Sequence, residues 1–173
     1  MSEQGSAATS MRQLANACGV RVAALYHYFE SKDALLAAVI AERNYTGRLA
    51  APIDVDRGAP LADRLGAVFD VIWSGALDEE AVWRLLLGEG IRSEPAALPV
   101  GRDLLGTVRP GVAAYLREFV PELASPDLAA DVLIGQMFFG FIRHFFEPDL
   151  DPGAIGADCR SVFVRTAAAN VAS

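Results

Sequence analysis

Apolar residues recur at three- and four-residue intervals along most of the chain, and no stretch alternates as a half-buried strand would. The expected fold is therefore all-α. Ser10 and Gln13 form an S-x-x-Q capping box that predicts a helix from Met11. Leu14 and Ala15 face inward in that helix, and Gly19 supplies the positive φ of a tight turn. Val20 is expected to plug the corner, while Leu25 and Phe29, four apart, set the inner face of a second short helix. Ser31 can cap a longer helix to about Gly47, with Leu35, Leu36, Val39 and Ile40 on its apolar face.

The Pro/Gly/Asp-rich connector Ala51–Pro60 then breaks the pattern and makes the best domain boundary, dividing residues 1–47 from 48–173. Helices are expected near Leu61–Gly75 and Glu79–Ile91. A broken segment follows over Pro99–Phe119, where Pro110 should end or kink the helix. Ser125-Pro126 and Asp151-Pro152 each set a capping residue before a first-turn proline, predicting helices near Pro126–Phe146 and Pro152–Val171. The former is apolar nearly all round. Ile134, Phe138, Phe141 and Phe145 form one stripe, widened by Leu133, Met137, Ile142 and Phe146. Such a helix must be covered on two sides, one by its own core and the other by a second subunit or, alternatively, by the rest of a monomer whose central helix it is. Gly135 and Gly140 would allow close approach, and Ile155, Val162, Phe163 and Val164 of the last helix would complete a four-helix interface.

Composition narrows the class. The 173 residues are 53% hydrophobic and 21% charged, enough to bury a sizeable core. No run of about 18 uncharged apolar residues is present, so no membrane span is expected. The opening MSEQGSAATS lacks the features of a signal peptide, and Cys18 and Cys159 read as reduced thiols, so a cytoplasmic location is expected. The net charge of −7 is unevenly spread. Residues 1–48 carry Arg12, Arg21, Lys32, Arg43 and Arg48 against Glu3, Glu30, Asp33 and Glu42; the remaining ten basic residues face eighteen acidic ones. Only the N-terminal part could approach a polyanion.

The capped helix, glycine turn and second short helix follow the pattern of a helix-turn-helix DNA reader. The ordered series Gly19-Val20, Leu25-Tyr26, Tyr28-Phe29, Ser31-Lys32 and Leu35-Leu36 resembles the DNA-binding segment of the tetracycline-repressor (TetR) family of bacterial regulators. That resemblance implies an all-helical homodimer with a small-molecule pocket in its larger C-terminal domain. It also implies that Arg21, Val22, Ala23 and Ala24 enter the major groove, while Tyr26, His27, Tyr28 and Lys32 grip the backbone. Lys32 and Arg12 would neutralise phosphate, and Ser10 lies at the N-terminus of the first helix, whose N–H groups favour anions. Arg21 can reach guanine; Val22, Ala23 and Ala24 can touch only thymine methyls. For Tyr28, partial core packing competes with a phosphate contact.

Two departures from the family pattern matter. Arg21 stands where a small N-capping residue is usual, so shape and apolar contacts are expected to share the readout. Family members also carry a full helix ahead of the Thr-Ser pair, whereas only eight residues precede Thr9 and Glu3-Gln4-Gly5-Ser6 offers no apolar face. That first helix is therefore expected to be missing, leaving Leu14, Leu36 and Ile40 partly exposed. A start placed too late is the favoured explanation over a truncation or a functional short form.

Phe69, Trp73, Trp83, Tyr115, Met137 and Phe141 are candidates for an effector pocket, with Arg84, Arg143 and His144 as polar anchors, although aromatics at helical spacing also make ordinary cores. An apolar or aromatic effector is expected. No GxGxxG, GxSxG, P-loop or HExxH motif occurs, and no His/Cys/carboxylate spacing completes a metal site, so neither an enzyme nor a cofactor is expected. The reading is a ligand-responsive regulator, a repressor, that binds a near-palindromic operator as a homodimer. The alternative is a helical ligand-binding or interaction dimer that has lost DNA binding through the shortened N-terminus.

Overall fold

The computed structural model describes residues 10–43, 53–93, 95 and 97–171. Among these are eight helices and no strand: α1 (Met11–Ala17), α2 (Val22–Tyr28), α3 (Lys32–Arg43), α4 (Leu61–Leu77), α5 (Glu80–Ile91), α6 (Ala97–Phe119), α7 (Pro126–Phe146) and α8 (Pro152–Ala168). The all-α expectation holds. The expected loss of a first helix concerns residues 1–9, outside the described residues. So do the end of the long helix near Gly47, Arg48, the connector residues Ala51 and Pro52, and the side chains of Ile40 and Arg43. Two compact units emerge, Met1–Tyr45 with Ala81–Leu104, and Thr46–Glu80 with Leu105–Ser173.

Local capping acts as the residue types require. Ser10 Oγ accepts from Gln13 N at 3.2 Å while Gln13 Oε1 accepts from Ser10 N at 2.7 Å, closing the capping box. Ser31 Oγ accepts from Ala34 N at 3.1 Å and opens α3. Ser125 and Asp151 cap α7 and α8 through Leu128 N and Ala154 N, each with proline in the first turn.

Pro110 neither ends nor interrupts its helix: α6 runs unbroken from Ala97 to Phe119. The proline removes the N–H that would have bonded the carbonyl of Gly106. Both residues lie on the exposed face, where water can satisfy that oxygen. The opposite face buries Leu104, Val112, Tyr115, Leu116 and Phe119, so packing holds the helix through the fault.

The second unit is built on α4, α7 and α8. Phe69 and Phe163 stack at 5.9 Å between ring centroids, and Phe141 lies 5.3 Å from Trp73. Phe69, Leu65, Val68, Leu133, Ile155 and Phe163 are all fully buried. Trp73 fits because its neighbours are glycines. A Cβ on Gly156 would stand 2.3 Å from the indole nitrogen, and one on Gly140 2.9 Å from the ring edge.

Arg64 is a second tie in this unit, only 8% exposed. Its Nε donates to Ala59 O at 3.0 Å, and its Nη1 to Phe119 O at 2.8 Å and Glu122 Oε2 at 3.0 Å. Arg64→Ala strands those carbonyls and is expected to cost about 2–4 kcal/mol in a urea unfolding series. The hydrogen bond from Arg64 pulls the Glu122 carboxyl from 4.5 down to about 2. A depressed carboxylate pKa stabilises the fold above its unfolded value, so this contribution is present above pH 4.5 and fades as pH falls toward 2. Glu122→Gln should flatten the pH dependence of unfolding in that window. A wild-type slope in the variant would remove Glu122 from the account.

The outer face of α7 leaves Leu128, Gly135, Phe138, Phe139 and Phe146 exposed in the single chain, opposite the buried Ala129, Leu133, Met137, Gly140 and Phe141. Over an 18-residue window α7 reaches a mean hydropathy of 1.2, which by length and composition alone suffices to cross a membrane. It also carries Asp131, bonded by Arg109 Nε at 2.6 Å, and Arg143, bonded to Asp158 at 2.9 Å. Ion pairs to neighbouring helices suit a core helix of a folded domain better than a span in hydrocarbon.

Candidate nucleic-acid interface

The turn between α1 and α2 closes through backbone bonds. Cys18 N donates to Leu14 O, Gly19 N to Asn16 O and Val20 N to Ala15 O. Gly19 sits at φ +66°, the left-handed conformation a side chain would resist. Ala15 is fully buried, as the close crossing of α1 and α2 requires. Val20 does not plug the corner. It is 44% exposed, and its backbone N–H rather than its side chain secures the turn.

Arg21 occupies the N-cap position of α2 with extended backbone and no capping bond from its side chain. Its guanidinium is therefore not consumed by the helix end. Arg21, Ala23, Ala24, Tyr26, His27 and Tyr28 are exposed and Val22 is half-buried, while Leu25 and Phe29 turn toward the module. Arg12 on α1 is exposed as well. Tyr28 is 77% exposed, so it is no core residue, and it meets His27 edge-on at 5.2 Å. The face thus combines one free-standing arginine, three small side chains and an aromatic-histidine cluster. Such a surface can hydrogen-bond phosphates and guanine and press methyl groups against thymine.

Lys32 lies differently from the others. It is half-buried, and its Nζ donates to Glu89 Oε2 on α5 at 3.1 Å, within the first compact unit. Arg92 Nη2 donates to the other carboxylate oxygen at 2.8 Å. The side chain of Glu89 is only 3% exposed. Burial pushes its carboxyl up, but the bonds and charges of Lys32 and Arg92 outweigh that and hold it below the ordinary value. Sequence reasoning missed Glu89 and Arg92. The one available signal was an acid inside the apolar run Leu85-Leu86-Leu87-Gly88-Glu89-Gly90-Ile91.

Beside α3, Phe29, Leu35, Ala38, Val39 and Glu42 line an open groove of about 550 Å³. Leu36, expected to be partly exposed, is instead buried at 6%; Leu14 is half-buried.

The effector candidates divide between units. Phe69, Trp73, Tyr115, Met137 and Phe141 are all buried in the second unit, where the first two and Phe141 share one aromatic stack. Trp73 Nε1 donates to Pro152 O at 3.3 Å. Tyr115 lies against Phe119, and burial raises its phenol pKa. His144 Nε2 is 3.1 Å from Glu80 Oε2 in the same unit. Arg143 is spent on Glu147 and Asp158. Trp83 and Arg84 belong to the first unit. No cluster of three or more potential metal ligands occurs among the described residues.

Comparison with known proteins agrees with this geometry. No curated protein matches the chain by sequence. A transcriptional regulator from Rhodococcus sp. Rha1 shares the fold at a TM-score of 0.70, with 20% identity over 94% of this chain and 86% of that one. Residues 1–39, which hold the capped helix, the glycine turn and the exposed reading face, match the model of bacterial regulatory proteins of the tetR family. The N-terminal module is thus similar to that of the tetR family of bacterial regulatory proteins.

Proposed function

We propose that this chain is a ligand-responsive transcriptional repressor that binds a near-palindromic operator as a homodimer in the bacterial cytoplasm. The observation that carries this reading is the exposed N-terminal half of α2, with Arg21, Ala23 and Ala24 outward and Leu25 turned in. Residues 1–47 serve as the reader and residues 48–173 as the dimerisation and effector domain. In this reading the protein is no enzyme: it acts by occupying DNA.

A two-fold dimer presents two reading helices about 34–36 Å apart, one turn of duplex. The uncovered outer face of α7 supports pairing of α7 and α8 with their copies. The effector is an apolar or aromatic small molecule bound within the second unit, through Phe69, Trp73, Tyr115, Met137, Phe141 and His144. It releases DNA by binding better to the dimer whose reading helices are set at the wrong separation.

The test is a binding titration against the protein's own upstream region and random duplex at several salt concentrations. Preference for the former is expected, with affinity falling steeply as salt rises. Arg21→Ala should relax discrimination at one base pair by roughly 1–3 kcal/mol and leave the others unchanged, if a guanine is read bidentately. Equal affinity for both duplexes would retire the regulator reading in favour of a helical dimer without DNA function.

A further inference from the structure

We propose that Glu89 is an electrostatic latch that competes with DNA phosphate for Lys32, so that α5 sets how much of the reader's positive charge is available. The inference rests on the DNA-binding reading above. The Lys32 ammonium has three N–H donors, and one is committed to Glu89 Oε2 at 3.1 Å. A phosphate approaching the same ammonium meets a fixed carboxylate immediately behind it. The repulsion is poorly screened, because the Glu89 side chain is 3% exposed.

The latch can open without stranding a buried charge. Arg92 holds the other oxygen at 2.8 Å, so Glu89 keeps a cationic partner when Lys32 turns toward DNA. The two cations are not equivalent. Arg92, three residues along the chain, moves with Glu89, whereas Lys32 belongs to α3 at its first helical position. A shift of α5 relative to α3 therefore changes the Lys32 contact and leaves the Arg92 contact in place.

Glu89→Gln tests this on the full chain. The amide is isosteric and removes the negative charge; its carbonyl oxygen can still accept from Arg92, while its NH2 group, a donor, gives Lys32 no acceptor. Binding to specific and random duplex should tighten alike, because a phosphate contact carries no sequence information. The salt slope should steepen by about 0.9, so the gain over wild type shrinks about threefold between roughly 50 and 200 mM salt. Lys32→Gln combined with Glu89→Gln should abolish the gain. If circular dichroism shows Glu89→Gln to be misfolded, Glu89→Asp decides. It keeps the charge and the Arg92 pair but draws the carboxylate back from Lys32, and should act in the same direction. Wild-type slopes in a folded Glu89 variant overturn the latch while leaving DNA binding intact. Loss of salt-dependent binding in wild type and variants together overturns the DNA reading itself.

Discussion

Gly156→Ala is expected to destabilise the protein by about 1–3 kcal/mol, although alanine is the better helix former. The added methyl would sit 2.3 Å from Trp73 Nε1, 2.6 Å from Cδ1 and 3.0 Å from Cε2, all atoms of one rigid ring. The indole cannot swing aside, because Phe69 stacks on one side at 6.3 Å and Phe141 lies at 5.3 Å. Any displacement also breaks the 3.3 Å bond to Pro152 O. Overpacking costs about 1–3 kcal/mol and the lost hydrogen bond about 1, against a propensity gain of about 1. Gly75→Ala in α4 is the control, since its methyl meets nothing within 4 Å and should stabilise by about 0.5–1 kcal/mol. Thermal unfolding separates them, with an expected spread of roughly 3–15 °C. Equal melting temperatures would mean that the close crossing of α4 and α8 at Trp73 is wrong.

Two substitutions on α7 should part company in the same assay. Phe141 is 3% exposed inside the aromatic stack, so Phe141→Glu buries a lone carboxylate and is expected to abolish folding. Phe138 is 50% exposed and its neighbour Phe139 54%. Phe138→Glu should leave a folded chain and act on assembly alone. If this face meets its own copy, two carboxylates enter one interface. A penalty of about 4 kcal/mol or more weakens the dimer about a thousandfold. Light scattering at micromolar concentration should report a dimer for wild type and a monomer, with native circular dichroism, for Phe138→Glu. A variant that still runs as a dimer would place the interface elsewhere. A monomeric wild type would remove the two-fold operator from the proposal altogether.

The readings that the structure supports were those settled within a few residues. Ser10 with Gln13, Gly19, Ser125-Pro126 and Asp151-Pro152 lie where they were expected, because a cap or a left-handed turn is decided by atoms three or four positions away. The order of small, apolar and aromatic residues from Ala15 to Phe29 was enough to identify the helix-turn-helix module. Pro110 does not end α6, because the apolar face of the helix is buried along its length and outweighs one missing bond. Val20 misled because a residue at a turn looks the same in sequence whether its side chain or its N–H holds the corner. The double apolar character of α7 was legible. Which face the chain covers itself was not, since that depends on Trp73, Gly140 and Gly156 meeting from three helices. The partner of Lys32 was beyond any local pattern. It lies 57 residues away, and only packing that buries Glu89 makes a charge on α5 seek the ammonium on α3.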